Sequence, residues 1–143
     1  MTKSKTTLQD FNPNIKIKLA GLWTAATLCY LYGDYFELYT PGKVEGLSAG
    51  DHIMETPIML LIASCIMVIP PLMIAVSLLL RPKINKVLNI IFGSLFTLMM
   101  LLIAVGSLVP WYSFYVFLAI VESILTFFII WKALKWPRVN IAD

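Results

Sequence analysis

Four apolar blocks, each about as long as a bilayer is thick, constrain this chain more than any other feature. They run about Lys18–Tyr39, Pro57–Leu80, Val87–Leu108 and Tyr112–Lys132. A helix needs roughly 20 apolar residues to cross a hydrocarbon core of about 30 Å. Inside lipid every backbone N–H and C=O must find its partner within the protein, which favours helices or closed barrels. Composition agrees with the block pattern, at 59% hydrophobic and 13% charged residues with a mean hydropathy of +0.84. Soluble domains lie near half apolar and about a quarter charged. The expected fold is therefore all-α: an antiparallel bundle of four transmembrane helices over residues 15–136, with short tails at 1–14 and 137–143. Such a layout leaves no room for a soluble catalytic module.

Charge sets the expected orientation. Lys3, Lys5, Lys16 and Lys18 precede the first block, Arg81, Lys83 and Lys86 separate the second from the third, and Lys132, Lys135 and Arg138 end the fourth. With four spans these groups share one side, which the positive-inside rule makes cytoplasmic, so both termini are expected inside a cell (inner) membrane. Lys43 alone falls on the other side, in a loop with Glu45, Asp51 and Glu55. The net charge of +3 is then a topology signal with some attraction to anionic lipid, and nucleic acid is not an expected partner. The first block is too long for a signal-peptide core and lacks a small-residue cleavage site, so it reads as an uncleaved span.

Prolines and glycines punctuate the blocks. Thr40-Pro41-Gly42 marks the exit turn of the first. Thr56 followed by Pro57 reads as an N-cap and first helical residue. Ser48-x-x-Asp51 matches a capping box and predicts a short interfacial helix over Ser48–Glu55. Pro70 and Pro71 remove two backbone donors and free the carbonyls of Ile66 and Met67, predicting a kink in the second span. Trp111, Tyr112 and Tyr115 are expected at the outer interface, and Trp131 and Trp136 at the inner one. Cys29 and Cys65 form no Cys-x-x-Cys pair and read as buried, inert thiols.

Polar and small residues in membrane helices face one another rather than lipid. Alternating spacings of three and four define such faces: Trp23, Thr27, Tyr30, Asp34, Glu37 in the first span and Ser64, Val68, Pro71, Ala75 in the second. The third offers Gly93, Thr97, Met100, Ala104, Ser107, and the fourth Tyr115, Ala119, Glu122, Thr126. At about 1.5 Å rise per residue, Glu122 falls near mid-membrane, level with Thr27, Pro71 and Thr97. Asp34 and Tyr115 lie nearer the outside, and Glu37 lies near the headgroups. Tyr30 and Asp34, four residues apart, are expected to hydrogen-bond. An unpaired mid-membrane carboxylate costs about 2.5–3.5 kcal/mol or more, so such groups are functional by default unless a neighbour satisfies them. The carbonyls freed by Pro70 and Pro71 are the alternative, purely structural partners for Glu122. Asp34, Glu122, Tyr30, Tyr115, Glu37, Thr27 and Thr97 are thus the candidate ligand- or ion-binding residues. His52, with Asp51 and Glu55 nearby, is too sparse a set for a metal site.

The stretch "LYGDYFELYTPG", after "LAGLWTAATLCY" and a short lysine-containing start, resembles an uncharacterised family of small bacterial four-helix integral membrane proteins. Its members carry Leu-Tyr-x-Asp in the first helix, here Leu31 to Asp34. The resemblance implies a multi-pass membrane protein with no assigned activity. The helix count is more distantly similar to the DoxX-like group, but no motif carries over that group's quinone-linked chemistry.

Two functions are open. One is binding or transport of a small solute, cation or amphipathic molecule through an acidic, aromatic pocket facing outside, since carboxylates and ring faces both favour cations. The other is a structural or accessory subunit docking on a larger membrane complex or on further copies of itself. No nucleophile–base spacing, histidine-rich metal set or phosphate loop is present, so no enzyme activity, metal or cofactor is expected.

Overall fold

The computed structural model describes residues 11–50 and 56–137, all of whose regular structure is helical. Its α-helices are α1 (Ile15–Glu37), α2 (Lys43–Ala49), α3 (Pro57–Met67), α4 (Ile69–Leu79), α5 (Pro82–Gly106) and α6 (Ser113–Leu134), with a 3-10 turn at Pro110–Tyr112 before α6.

Local chemistry explains most boundaries. Asn14 caps α1 by accepting from the Lys16 N–H at 3.0 Å, an ordinary N-cap. Thr56 does the same for α3 through the Met59 N–H at 3.2 Å, with Pro57 at the first helical position as expected. Gly42 and Gly50 adopt left-handed backbone (φ 77° and 80°) at the two ends of α2, conformations that glycine reaches without a steric penalty. The second apolar block breaks at Val68, just ahead of Pro70 and Pro71, where the missing N–H groups interrupt the helical ladder. The bonding pattern is thus interrupted between α3 and α4, while Val68 itself keeps a helical backbone (φ −74°, ψ −18°).

Other boundaries correct the sequence expectation. The third helix starts at Pro82, five residues before Val87, because Pro82 nucleates it immediately after the Arg81 N-cap. A short helix covers Lys43–Ala49, and the one expected over Ser48–Glu55 falls mostly on residues 51–55, outside the described residues. The Ser48 hydroxyl donates back to the Val44 carbonyl at 3.0 Å within α2. Residues 51–55, with His52, Asp51 and Glu55, lie outside the described residues, as do Lys3, Lys5 and Arg138.

Three helical runs are long and apolar enough to cross a membrane: Pro57–Leu79, Pro82–Gly106 and Pro110–Leu134. The 23-residue α1 is comparably long but more polar, since it carries Thr24, Thr27, Asp34 and several aromatic residues among its apolar ones. It packs along α4 and α6, while α5 and α6 form the most extensive helix pair. The ends show that neighbours alternate in direction. Lys16 near the start of α1 donates to the Leu78 carbonyl at the end of α4, and Lys86 near the start of α5 donates to the Leu134 carbonyl at the end of α6.

The interior is lined by Trp23, Tyr30, Phe96 and Met100, with Ala26, Ala104 and Ala119 allowing close helix approach. Gly93 is the tightest such point, since a Cβ there would meet the Ile130 side chain at 2.9 Å. Large apolar side chains cover the outside of every long helix, the arrangement that a lipid surround requires. The faces expected for the first, third and fourth spans contain the buried residues Trp23 and Tyr30, Gly93, Met100 and Ala104, and Ala119, Glu122 and Thr126. The second does not follow its expected face. Ser64, Val68, Pro71 and Ala75 are all exposed, and Pro70, Met73 and Ser77 are buried instead. Small size alone did not identify the packed side of that helix, whose mostly apolar faces are chemically alike. None of α3 is buried.

Candidate functional site

Four of the residues singled out by depth meet in one place. Tyr30 and Asp34 of α1 and Tyr115 and Glu122 of α6 line a cavity of about 250 Å³. Met67 from α3 and Met99, Met100 and Ile103 from α5 supply most of its apolar wall. At Gly33 the two acidic helices meet at ordinary contact distance, a Cβ there standing 3.5 Å from the Tyr115 ring. The cavity stays open because α3 leans over it without burying a residue against the other helices.

The two acids occupy different positions. Asp34 is exposed at the rim, whereas Glu122 is only 4% exposed. Among the described residues no lysine or arginine lines the cavity, and the Glu122 carboxyl group has neither a hydrogen-bond nor an ion-pair partner. The carbonyls freed by Pro70 and Pro71 are therefore not used by it. Tyr30 is 5% exposed, and its hydroxyl is buried without a hydrogen-bond partner. This corrects the expected Tyr30–Asp34 contact. The Tyr30 ring is turned inward against Phe96, with centroids 5.7 Å apart, while Asp34 points away at the rim. A buried polar group without a partner costs about 1–3 kcal/mol, so this corner of the protein is polar but unsatisfied by its own residues.

The remaining candidates are engaged elsewhere. Thr27 donates to the Trp23 carbonyl at 2.8 Å. The Thr97 hydroxyl meets that of Thr126 at 2.7 Å, joining α5 to α6 beside the cavity rather than in it. Glu37 pairs with Lys43, and the Tyr112 hydroxyl approaches the same oxygen at 3.5 Å. That hydrogen bond is the main cause holding the Lys43 ammonium above the ordinary lysine range. These three residues secure helices and the α1–α2 corner; they do not line the cavity. Cys29 and Cys65 are free, and Cys65 is exposed rather than buried because α3 is uncovered. Among the described residues no three of His, Cys, Asp and Glu gather as a metal set.

Sequence reasoning missed a second polar centre, at the lysine-rich end. Asn85, Asn89 and Ser77 are fully buried. The Trp23 indole N–H donates to Asn89 Oδ1 at 2.8 Å, and Asn89 Nδ2 donates to Asn85 Oδ1 at 2.6 Å and to its carbonyl at 2.9 Å. Asn85 Nδ2 in turn donates to the Ser77 carbonyl at 2.6 Å. This network ties α1, α4 and α5 together and leaves the Asn89 amide well satisfied, in contrast to Tyr30 and Glu122. Two asparagines four residues apart in an apolar run were the available signal.

The fold and cavity define a helical protein with three membrane-capable helices and an acidic, aromatic pocket between them. The chain belongs to the family of unknown function DUF6326, whose model matches residues 7–143. No curated protein and no solved structure matches it.

Proposed function

We propose that this protein binds or transports a small cation or cationic amphipathic solute in the cavity between α1, α3, α5 and α6. The observation that carries this reading is the meeting, in one cavity without a basic side chain among the described residues, of the buried, unpartnered Tyr30 hydroxyl and the carboxyl of the buried residue Glu122, which has no hydrogen-bond or ion-pair partner among them. A ligand ammonium would supply the missing partner to the carboxylates and meet the faces of Tyr30 and Tyr115. The methionines would accommodate an apolar body of variable shape. The volume is below that of pockets for drug-sized ligands, about 300–1,000 Å³, which favours a small solute.

In this reading α1 also crosses the bilayer, giving four antiparallel spans. Its 23 residues reach about 34 Å at 1.5 Å per residue, and its buried residues run from Leu19 to Gly33. Lys16, Lys18, Arg81, Lys83, Lys86, Lys132 and Lys135 then face the cytoplasm of a cell (inner) membrane, with both termini. The cavity lies toward the opposite face. The protein acts by binding rather than catalysis.

The test is titration of the detergent-purified protein with hexylammonium, hexanol and hexanoate. The expected order is cation, then neutral, then anion. Glu122→Gln is expected to weaken the cation by about 10- to 100-fold, the worth of a charge-assisted contact of about 1.5–3 kcal/mol. Equal binding of all three compounds, or an unchanged affinity in well-folded Glu122→Gln and Asp34→Asn variants, overturns the proposal.

An accessory role is the second reading, supported by the uncovered α3, whose Ile58, Leu60, Leu61 and Ile62 are all more than half exposed. A stable complex with another membrane protein or a second copy after gentle extraction would favour it, and a monodisperse single chain would count against it.

A further inference from the structure

The lysine-rich end carries a second, larger cavity that the proposed function does not use. It measures about 670 Å³ and lies where the start of α1, the start of α5 and the end of α6 converge. Lys16, Lys18, Lys132 and Lys135 line it together with Trp131 and Trp136. Among the described residues no aspartate or glutamate lines it, and their sole ion pair, Lys43–Glu37, belongs to the α1–α2 corner.

This clustering is electrostatically unfavourable by itself. Helix N-termini carry a partial positive charge that acidic residues in the first turn ordinarily offset. The first turns of α1 and α5 contain no acid, and both present lysines there instead. An anion in the cavity would relieve both the lysine repulsion and the uncompensated helix ends. The ammonium groups retain donors for it. Among the described residues Lys16 donates to one acceptor, the Leu78 carbonyl, and Lys18 to one, Asn12 Oδ1, whereas each ammonium has three N–H groups.

The surroundings indicate the anion's source. Trp131 sits beneath Lys135 and Lys132, whose Nζ atoms lie 4.6 and 5.6 Å from the ring centroid, and packs against Phe128 at 5.7 Å. Phe127, Phe128 and Trp131 are exposed on α6, so an apolar strip leads from the lipid-facing side of the helix directly to the lysines. Tryptophan and lysine in this order mark the headgroup level of a membrane. We propose that this cavity binds the phosphate of an anionic phospholipid, whose acyl chains follow the Phe127–Phe128 strip while Lys16, Lys18, Lys132 and Lys135 hold the headgroup.

Native mass spectrometry and thermal unfolding of the full chain, with phosphatidylglycerol, phosphatidylcholine of the same chains, or inorganic phosphate, test this directly. The expected result is retention of phosphatidylglycerol with a saturable rise in Tm, and neither effect with phosphatidylcholine or phosphate at the same concentration. The double variant Lys132→Gln/Lys135→Gln should lose at least about tenfold more affinity than Arg81→Gln/Lys83→Gln, which removes the same charge at the same end outside the cavity; diffuse attraction would weaken both pairs alike. Equal losses in the two pairs, equal retention of phosphatidylcholine, or equal stabilisation by phosphate alone would each overturn the proposal. The lipid comparison on the unaltered protein decides the matter even if a variant does not fold.

Discussion

Replacing Asn89 with leucine probes the polar network that joins α1, α4 and α5. Leucine keeps the branched outline but is somewhat larger and a better helix former by a few tenths of a kcal/mol, so a net loss reports on hydrogen bonding together with the fit of the added volume. Four interactions of Asn89 vanish: the 2.8 Å bond from Trp23, the 2.6 Å bond to Asn85 Oδ1, the 2.9 Å bond to the Asn85 carbonyl, and a long 3.4 Å contact from Ser77. The Trp23 N–H and Asn85 Oδ1 have no other recorded side-chain partner, and both residues are fully buried. Two orphaned groups at about 1–3 kcal/mol each set an upper range of 2–6 kcal/mol. Interhelical bonds in membrane proteins average nearer 0.6 kcal/mol, because the unfolded state in lipid also finds partners. The expected loss for Asn89→Leu is therefore about 2–4 kcal/mol, toward the lower part of that range. Unfolding in mixed micelles with increasing sodium dodecyl sulfate measures it. Adding Trp23→Phe turns the measurement into a double-mutant cycle, in which a coupling of about 1 kcal/mol is expected between residues sharing a bond. A loss under about 0.5 kcal/mol, the scale of inconsequential surface changes, or the absence of coupling, would refute the assigned network.

Two further predictions concern packing and the α1–α2 corner. Gly21 has open space where a Cβ would sit, whereas at Gly93 the Cβ would meet Ile130 at 2.9 Å. Gly21→Ala should thus be neutral or stabilising by up to about 1 kcal/mol. Gly93→Ala should cost about 1–3 kcal/mol by overpacking α5 on α6, less whatever helix propensity returns, and thermal unfolding separates the two. At the corner, the hydrogen bond to Glu37 holds the Lys43 ammonium above its ordinary value. A raised lysine pKa stabilises fully below the unfolded value, about 10.4, and that contribution fades as pH climbs through the folded value. Backbone hydrogen exchange in α2 should accordingly stay constant between about pH 6 and 9 after correction for intrinsic rates. It should accelerate toward pH 11, and Lys43→Gln should abolish the difference.

How much of this was legible beforehand depended on chemical contrast. Glu122, Asp34, Tyr30 and Tyr115 stand out against apolar neighbours, so counting helix rise was enough to put Asp34 and Tyr115 on one level with Glu122 deeper, and one cavity spans the four. Their mutual contacts were not legible. Spacing four placed Tyr30 and Asp34 on neighbouring positions, but packing against Phe96 turns one ring inward while the other side chain remains at the rim. Thr97 and Thr27 shared the depth of Glu122, yet depth does not fix azimuth, and both hydroxyls are committed to other acceptors. The second span was the least readable, because Ser64, Val68, Pro71 and Ala75 do not differ enough from Pro70, Met73 and Ser77 to reveal which side meets protein and which meets lipid. Asn85 lay ahead of the assumed start of its span, since the helix-starting role of Pro82 went unused. The lysine-rich cavity needed three helix ends brought together, and spacing along one helix carries no record of that.

The central claim is that the groove below Asp34 leads to Glu122 and admits a polar solute, and cysteine accessibility tests it most directly. In a protein with both native cysteines replaced by alanine, Met100→Cys places a thiol on the cavity wall, and Leu98→Cys places one at similar depth on the exposed outer face of α5. Charged methanethiosulfonate reagents react with ionised, water-reachable thiols. The account predicts faster labelling at Met100→Cys than at Leu98→Cys, slowed by hexylammonium. Labelling no faster at Met100→Cys than at Leu98→Cys would contradict it.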